Sequence, residues 1–231
     1  MASLSSTIHP LYGFHPIVTT SFHGITVEPS CSLYLLLTLP PLVFVDPYEL
    51  ANYKDSYTFR HAGPSNLELP VSAIGPSNSH VLMNVSRQAI TKGAVQIPLH
   101  LRYGEVTVSM DEFQAVDISK PEGYVICGAC IVSKPCPCPK LPSEGCTDSD
   151  AELHIPKEFT ALFHQSNISR LSPSPSSKTV FCYQVPVGRA GDVSQVELGI
   201  AVTILLCFAY LVYTLYKSAI RLDDQKHPKS S

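Results

Sequence analysis

The run Val95–Tyr103, VQIPLHLRY, alternates apolar and polar side chains. Val95, Ile97, Leu99, Leu101 and Tyr103 fall on one face of an extended chain, with Gln96, His100 and Arg102 on the other. That period of two is the pattern of a strand with one buried face. Pro98 cannot donate to a ladder, which places the strand at a sheet edge or a bulge. Working outward, strand-like runs recur at Leu33–Val45, Ser56–Arg60, Leu67–Ala73, His80–Ser86, Glu105–Met110, Tyr124–Val132 and Thr179–Val187. Gly63-Pro64 and Gly75-Pro76 punctuate them as turns. Short strands at such spacing predict a mainly β, antiparallel β-sandwich-like domain. Lys157–Gln165 reads as a short helix. Ser133–Ser149, with four prolines and three cysteines, and Leu171–Lys178, LSPSPSSK, read as irregular.

A second stretch sets the class of the molecule. Leu198–Tyr216, LGIAVTILLCFAYLVYTLY, holds 19 residues and no charge. At roughly 1.5 Å per residue it nearly crosses a hydrocarbon core about 30 Å thick. It is apolar on every helical face, and Tyr210, Tyr213 and Tyr216 cluster near one end, where phenols suit an interface. Lys217, Arg221, Lys226 and Lys229 follow, so the positive-inside rule puts the tail in the cytosol and the large domain in the lumen or outside. A charged tail of 15 residues argues against a lipid-anchor signal, which would end on its apolar run. The expected layout is residues 1–22 as an N-terminal segment without a clear signal peptide, 23–188 as the luminal β domain and 189–197 as a stalk. Residues 198–216 form the transmembrane helix and 217–231 the cytosolic tail.

Composition narrows the function. Charged residues make up 15% of the 231 and the net charge is −3, so no clustered basic face for nucleic acid is in view. Asn84-Val85-Ser86 and Asn167-Ile168-Ser169 are glycosylation sequons and favour the lumen. Eight cysteines include Cys127-Gly-Ala-Cys130 and Cys136-Pro-Cys138. Their spacing is too close for a zinc ribbon, and a redox C-x-x-C needs a helix N-terminus. Disulfides in an oxidising compartment are the plainer reading, with connectivity open and an odd cysteine left over before the span. Asp148-Ser149-Asp150 reads as a solvated acidic loop. His100, two residues before Arg102, reads as half of a structural or interface pair. No HExxH, GxSxG or glycine-rich phosphate loop occurs, so the expectation is no catalytic residue, no metal and no cofactor.

Three motifs in order carry a more specific likeness. They are LTLPPLVFVDPYEL at Leu37–Leu50, PLHLRY at Pro98–Tyr103 and VPVG at Val185–Gly188, just before the single span. Together they resemble the PIG-X family, the small subunit of GPI mannosyltransferase I. The resemblance runs from about His23 to the end of the span. It implies a single-pass type I glycoprotein of the endoplasmic reticulum membrane that acts in GPI-anchor biosynthesis and is not itself an enzyme. It implies a partner, the catalytic mannosyltransferase subunit PIG-M, which the small subunit binds and stabilises. That partner adds the first mannose to the GPI precursor. It also makes Asp46, Pro47, His100, Arg102, Tyr103, Pro186 and Gly188 structural or interface candidates, beside the glycosylation candidates Asn84 and Asn167. A small-molecule substrate of its own is not expected. The rivals from the residues alone are a single-pass cell-surface receptor or adhesion module with a β-sandwich ectodomain and, behind it, a metal or redox enzyme using Cys127, Cys130, Cys136 and Cys138.

Overall fold

A computed structural model describes residues 2–64, 66–67, 69–106, 112–127, 156–160, 167–173 and 179–226. The chain divides into two compact units, one holding the β structure and one holding the C-terminal helix.

In the first unit, β1 (Ser3–His9), β2 (Ile17–His23), β7 (Ala94–Pro98) and β12 (Ser172–Pro173) form a sheet in the order β12-β1-β2-β7. A five-stranded sheet follows the order β11-β10-β3-β6-β5, from β3 (Cys31–Leu39), β5 (Tyr57–Ala62), β6 (Ser79–Val85), β10 (Glu122–Cys127) and β11 (Asn167–Arg170). Two pairs complete it: β9 (Phe113–Ser119) with β13 (Val180–Pro186), and β4 (Val43–Phe44) with β8 (His100–Leu101). Among the described strands, every pairing is antiparallel except β1 with β12, and an isolated parallel bridge joins Tyr12 to Gln184. The fold is therefore mainly β and antiparallel, as the alternation predicts.

One core lies between the sheets. Leu4, Ile8 and Val18 face Leu33, Leu35, Leu37, Val81 and Met83 within a single buried cluster. The sheets approach closely at Gly123 in β10, where a Cβ would stand 2.3 Å from Leu4 Cδ1. Leu36, Leu82, Tyr124 and Ile126, one step out of phase, form a smaller cluster on the other face of the five-stranded sheet. Both faces of β3 are thus apolar, which is why LYLLLTL shows no alternation.

The first 23 residues supply β1 and β2, two strands the sequence reading does not pick out. Thr20 is the reason: it sits on the buried face at 0% exposure, and its hydroxyl meets that of Ser6 at 3.0 Å. A polar pair takes the place of an apolar one and breaks the visible pattern. Strands β9 and β11 are further additions, and β12 falls inside the Leu171–Lys178 stretch that reads as irregular.

Leu67–Ala73 is a correction. The expected strand is absent from its described residues, and Val71–Ile74 forms one helical turn behind Pro70. The carbonyls of Leu67 and Leu69 are taken by the Arg102 guanidinium rather than by a neighbouring strand. Of Lys157–Gln165, Lys157–Phe159 is a 3-10 turn, and 161–166 lie outside the described residues. Most of Glu105–Met110, the end of Tyr124–Val132, the Ser133–Ser149 stretch and Asp148-Ser149-Asp150 also lie outside them.

Cys31 and Cys127 stand opposite each other on β3 and β10 and form a disulfide across a sequence separation of 96. Cys182 and Cys207 are free and exposed. Cys130, Cys136, Cys138 and Cys146 lie outside the described residues.

The second unit carries α4 (Val193–Lys226), a 34-residue helix that overruns the apolar run at both ends. It is long and apolar enough to cross a membrane, and it is unburied along its span. Its described side chains from 193 to 222 are almost all exposed. Exposure of Leu, Ile, Phe and Tyr at this density fits a lipid surround.

A candidate interface site built around Arg102

Asp46 opens α1 (Pro47–Leu50): its Oδ1 accepts from the Tyr48 amide at 2.8 Å, and Pro47 occupies the first turn, where a missing N–H costs nothing. The turn places Glu49 beside β8. There His100 Nε2 donates to Glu49 Oε2 at 2.6 Å, and the other ring nitrogen lies 2.9 Å from His15 Nδ1. Assigning the Nε2 proton to the carboxylate bond leaves His100 Nδ1 as the acceptor from His15. The His100 ring also stacks on Phe44, at 5.3 Å between centroids. The expected His100–Arg102 pair is thus an indirect one, with Phe44 between them.

Arg102 departs most from the strand reading. It is 6% exposed, although the alternation puts it on the open face. Its Nη1 donates to the carbonyls of Leu67 and Leu69 at 3.0 and 2.8 Å, and Nη2 donates to Asn66 at 2.8 Å. Its guanidinium carbon lies 4.5 Å above the Phe44 ring. Burial holds its pKa below the ordinary arginine value, and Nε is buried without a hydrogen-bond partner. Among the described residues no carboxylate pairs with it. Tyr103 is the converse correction. It belongs to the apolar face by period, yet it is 74% exposed. The β8 strand ends at Leu101, so the alternation stops there, and the Tyr103 ring rests against Phe14 at 4.5 Å.

Beside these residues lies a groove of about 300 Å³, walled by Phe44, Leu67, Leu69, Pro70, Arg102 and Tyr103, with Leu101 at its floor. The first two motifs border it through Phe44, Leu101, Arg102 and Tyr103. The first pairs with the second through Val43 opposite Leu101 and Phe44 opposite His100. The second continues into Gly104, where a Cβ would lie 2.7 Å from Val187 Cγ1 of the third. Pro186 ends β13 opposite Phe113. Gly188 begins the second unit, 3.7 Å from Val106 Cγ2 as judged from its Cβ position.

The sequon residues lie elsewhere. Asn84 is half-buried in β6, between Tyr34 of β3 and Thr58 of β5, and Ser86 caps α3 (Arg87–Lys92). Asn167 begins β11 opposite Cys127. Glu49 and His15 join the site although the sequence reading did not single them out. Glu49 stands in DPYE and was legible as a polar end to an apolar run; His15 is 85 residues from His100 and gave no local signal. Among the described residues, no group of three or more His, Cys, Asp or Glu side chains is placed to hold a metal.

The arrangement defines a class: a disulfide-bonded antiparallel β domain followed in sequence by a long apolar helix, with two of the motifs bordering a groove. The family signature described as PIG-X / PBN1 matches residues 11–216, and the chain belongs to that family. A protein named Protein PBN1 from Gibberella zeae is 24% identical over 227 residues, covering 91% of this chain and 43% of that protein. Protein pbn1 from Emericella nidulans is 29% identical over 148 residues, covering 55% of this chain and 28% of that protein. The chain therefore spans less than half the length of these curated relatives. No solved structure matches it.

Proposed function

We propose that this chain is a non-catalytic accessory subunit of GPI mannosyltransferase I. In this reading it resides in the endoplasmic reticulum membrane with its β domain in the lumen, binds the catalytic subunit PIG-M and stabilises it. The observation that carries the reading is the family match, which extends over the β domain and the apolar helix alike. The Cys31–Cys127 disulfide supports a luminal domain, because such bonds persist in oxidising compartments and are rare in the cytosol. The basic residues after the helix support the same orientation.

Two measurements test it. The full chain expressed in cells should shift on glycosidase treatment, and the shift should vanish when Asn84→Gln and Asn167→Gln are combined. Depleting the chain should lower the abundance of the catalytic subunit and the surface display of GPI-anchored proteins, and re-expression should restore both. Unchanged subunit abundance and unchanged anchoring after depletion would overturn the reading.

A further inference from the structure

We propose that the end of the β domain bearing Tyr12, Tyr103 and Phe113 rests on the membrane surface, with these rings among the headgroups of a zwitterionic lipid leaflet. The inference requires only that α4 spans a bilayer. It goes beyond the accessory-subunit reading and does not depend on it.

Contacts within the first unit bring the three rings to one place, the C-terminal end of β13. Phe113 stands opposite Pro186. Tyr12 bridges Gln184, whose amide donates to the Leu11 carbonyl at 3.3 Å. Tyr103 precedes Gly104, whose Cβ position lies 2.7 Å from Val187 Cγ1, and its ring packs on Phe14, two residues from Tyr12. All are open: Tyr103 is 74% exposed, Tyr12 63%, Leu11 57% and Phe113 43%. Contiguous exposed apolar surface of this kind marks a contact face.

The chain itself argues for the occupant. Val187 is the last residue of the first unit, and residues 188–197 separate it from Leu198, where the uncharged run begins. Residues 193–197 are already helical, so this linker extends at most about 25 Å. A soluble partner could approach any face, whereas covalent bonds keep the bilayer close to this one. The side chains agree. A tyrosine joins an apolar body to a wet phenol tip, which suits the headgroup layer. Exposed Glu105 and Glu112 lie beside the rings and disfavour anionic headgroups, which leaves a zwitterionic surface as the one that fits. Tyr103, exposed against its period, thereby has a contact to make.

The chain has no tryptophan, so a single introduced one reports alone. Full-length chains carrying Tyr12→Trp, Tyr103→Trp or Phe113→Trp are reconstituted without other protein, at high dilution, in phosphatidylcholine vesicles. The acyl chains carry bromine near the headgroup end, or none. Val180→Trp is the control: it is 37% exposed and lies at the far end of β13, about 20 Å from Pro186. Formation of the Cys31–Cys127 bond, read by non-reducing mobility, confirms that each variant folds. The expected result is that bromine lowers emission about twofold or more at the three ring positions and changes the control by less than about a tenth. Quenching at the three no greater than at Val180 would overturn the proposal. Quenching that appears only when phosphatidylserine is added would overturn the zwitterionic surface. Emission that follows protein density and not bromine would make the occupant a second copy. Emission that changes only when the catalytic subunit is reconstituted beside the chain would make the face a protein contact. Either of these last two overturns the lipid surface, and the final one does so while leaving the accessory-subunit reading in place.

Discussion

Arg87 and Arg102 each hold an irregular segment by its backbone carbonyls. Arg87 reaches those of Val27, Glu28, Pro29 and Cys31, just before β3. Arg102 reaches those of Asn66, Leu67 and Leu69, between β5 and α2 (Val71–Ile74). The hydrogen-bond count is similar and the solvent is not. Arg87 is exposed, and three of its four contacts lie at the surface, where water can replace them. Arg102 is buried against Phe44 and its Nε has no partner. The same side chain is therefore an exchangeable strap in one place and a fixed part of the interior in the other. What differs is the cost of taking a charge out of water. Arg102 also borders the groove lined by Phe44, Leu67, Leu69 and Tyr103.

The comparison can be broken or sharpened by measuring thermal or denaturant unfolding of the detergent-solubilised full chain. The largest effect is expected at the anchor of the Arg87 segment. Replacing Cys31 and Cys127 by serine releases a crosslink of 96 residues' separation and should cost about 4.7 kcal/mol on the chain-entropy account. A cost below about 1 kcal/mol would mean that Arg87 and the β3–β10 ladder hold that end by themselves.

Next is Arg102→Ala, which removes three charge-assisted hydrogen bonds and opens a hole over Phe44. It should cost about 3 kcal/mol, and Arg102→Lys should recover little of it, because an ammonium cannot reproduce the planar fork. Arg87→Ala should cost less than about 1 kcal/mol, since its carbonyl partners turn to water. Equal costs at the two arginines would refute the solvent argument.

The smallest effect is a dependence on pH at the edge strand β5. Burial, then the nearby His80, holds the His61 pKa below its ordinary value of 6.5. The unfolded chain therefore takes up a proton at a higher pH than the folded one. Stability should be level above about pH 6.5 and decline as pH falls through that value, until the folded imidazole also titrates. His61→Gln should flatten that slope. An unchanged slope would locate the proton uptake elsewhere.

Much of the β domain was legible because alternation is a local property. Val95, Ile97, Leu99 and Leu101 are buried as their period requires, and Pro98 lies at the end of β7, an edge strand, where the chain leaves one sheet to pair with β4. The failures also have local causes. Leu67–Ala73 has the composition of a strand, but its carbonyls found a side chain instead of a neighbour. Arg102 and Tyr103 exchanged places because the strand ended at Leu101. The N-terminal strands were hidden by Thr20 and Ser6, whose hydroxyls satisfy each other on the buried face. Of the site, the sequence offered His100, Arg102, Asp46 and Pro47 as residues without an arrangement. Phe44, Glu49, His15 and the carbonyls of Asn66, Leu67 and Leu69 gave them one.

The sequence alone determined the β character, the apolar helix and the order of the three motifs, because each depends on neighbours within a few residues. Tertiary structure decided which cysteines join, which arginine is buried and where the motifs meet. Those outcomes depend on groups tens of residues apart, brought together when sheets close over a shared core. A residue's exposure is set there by what packs against it rather than by its own type.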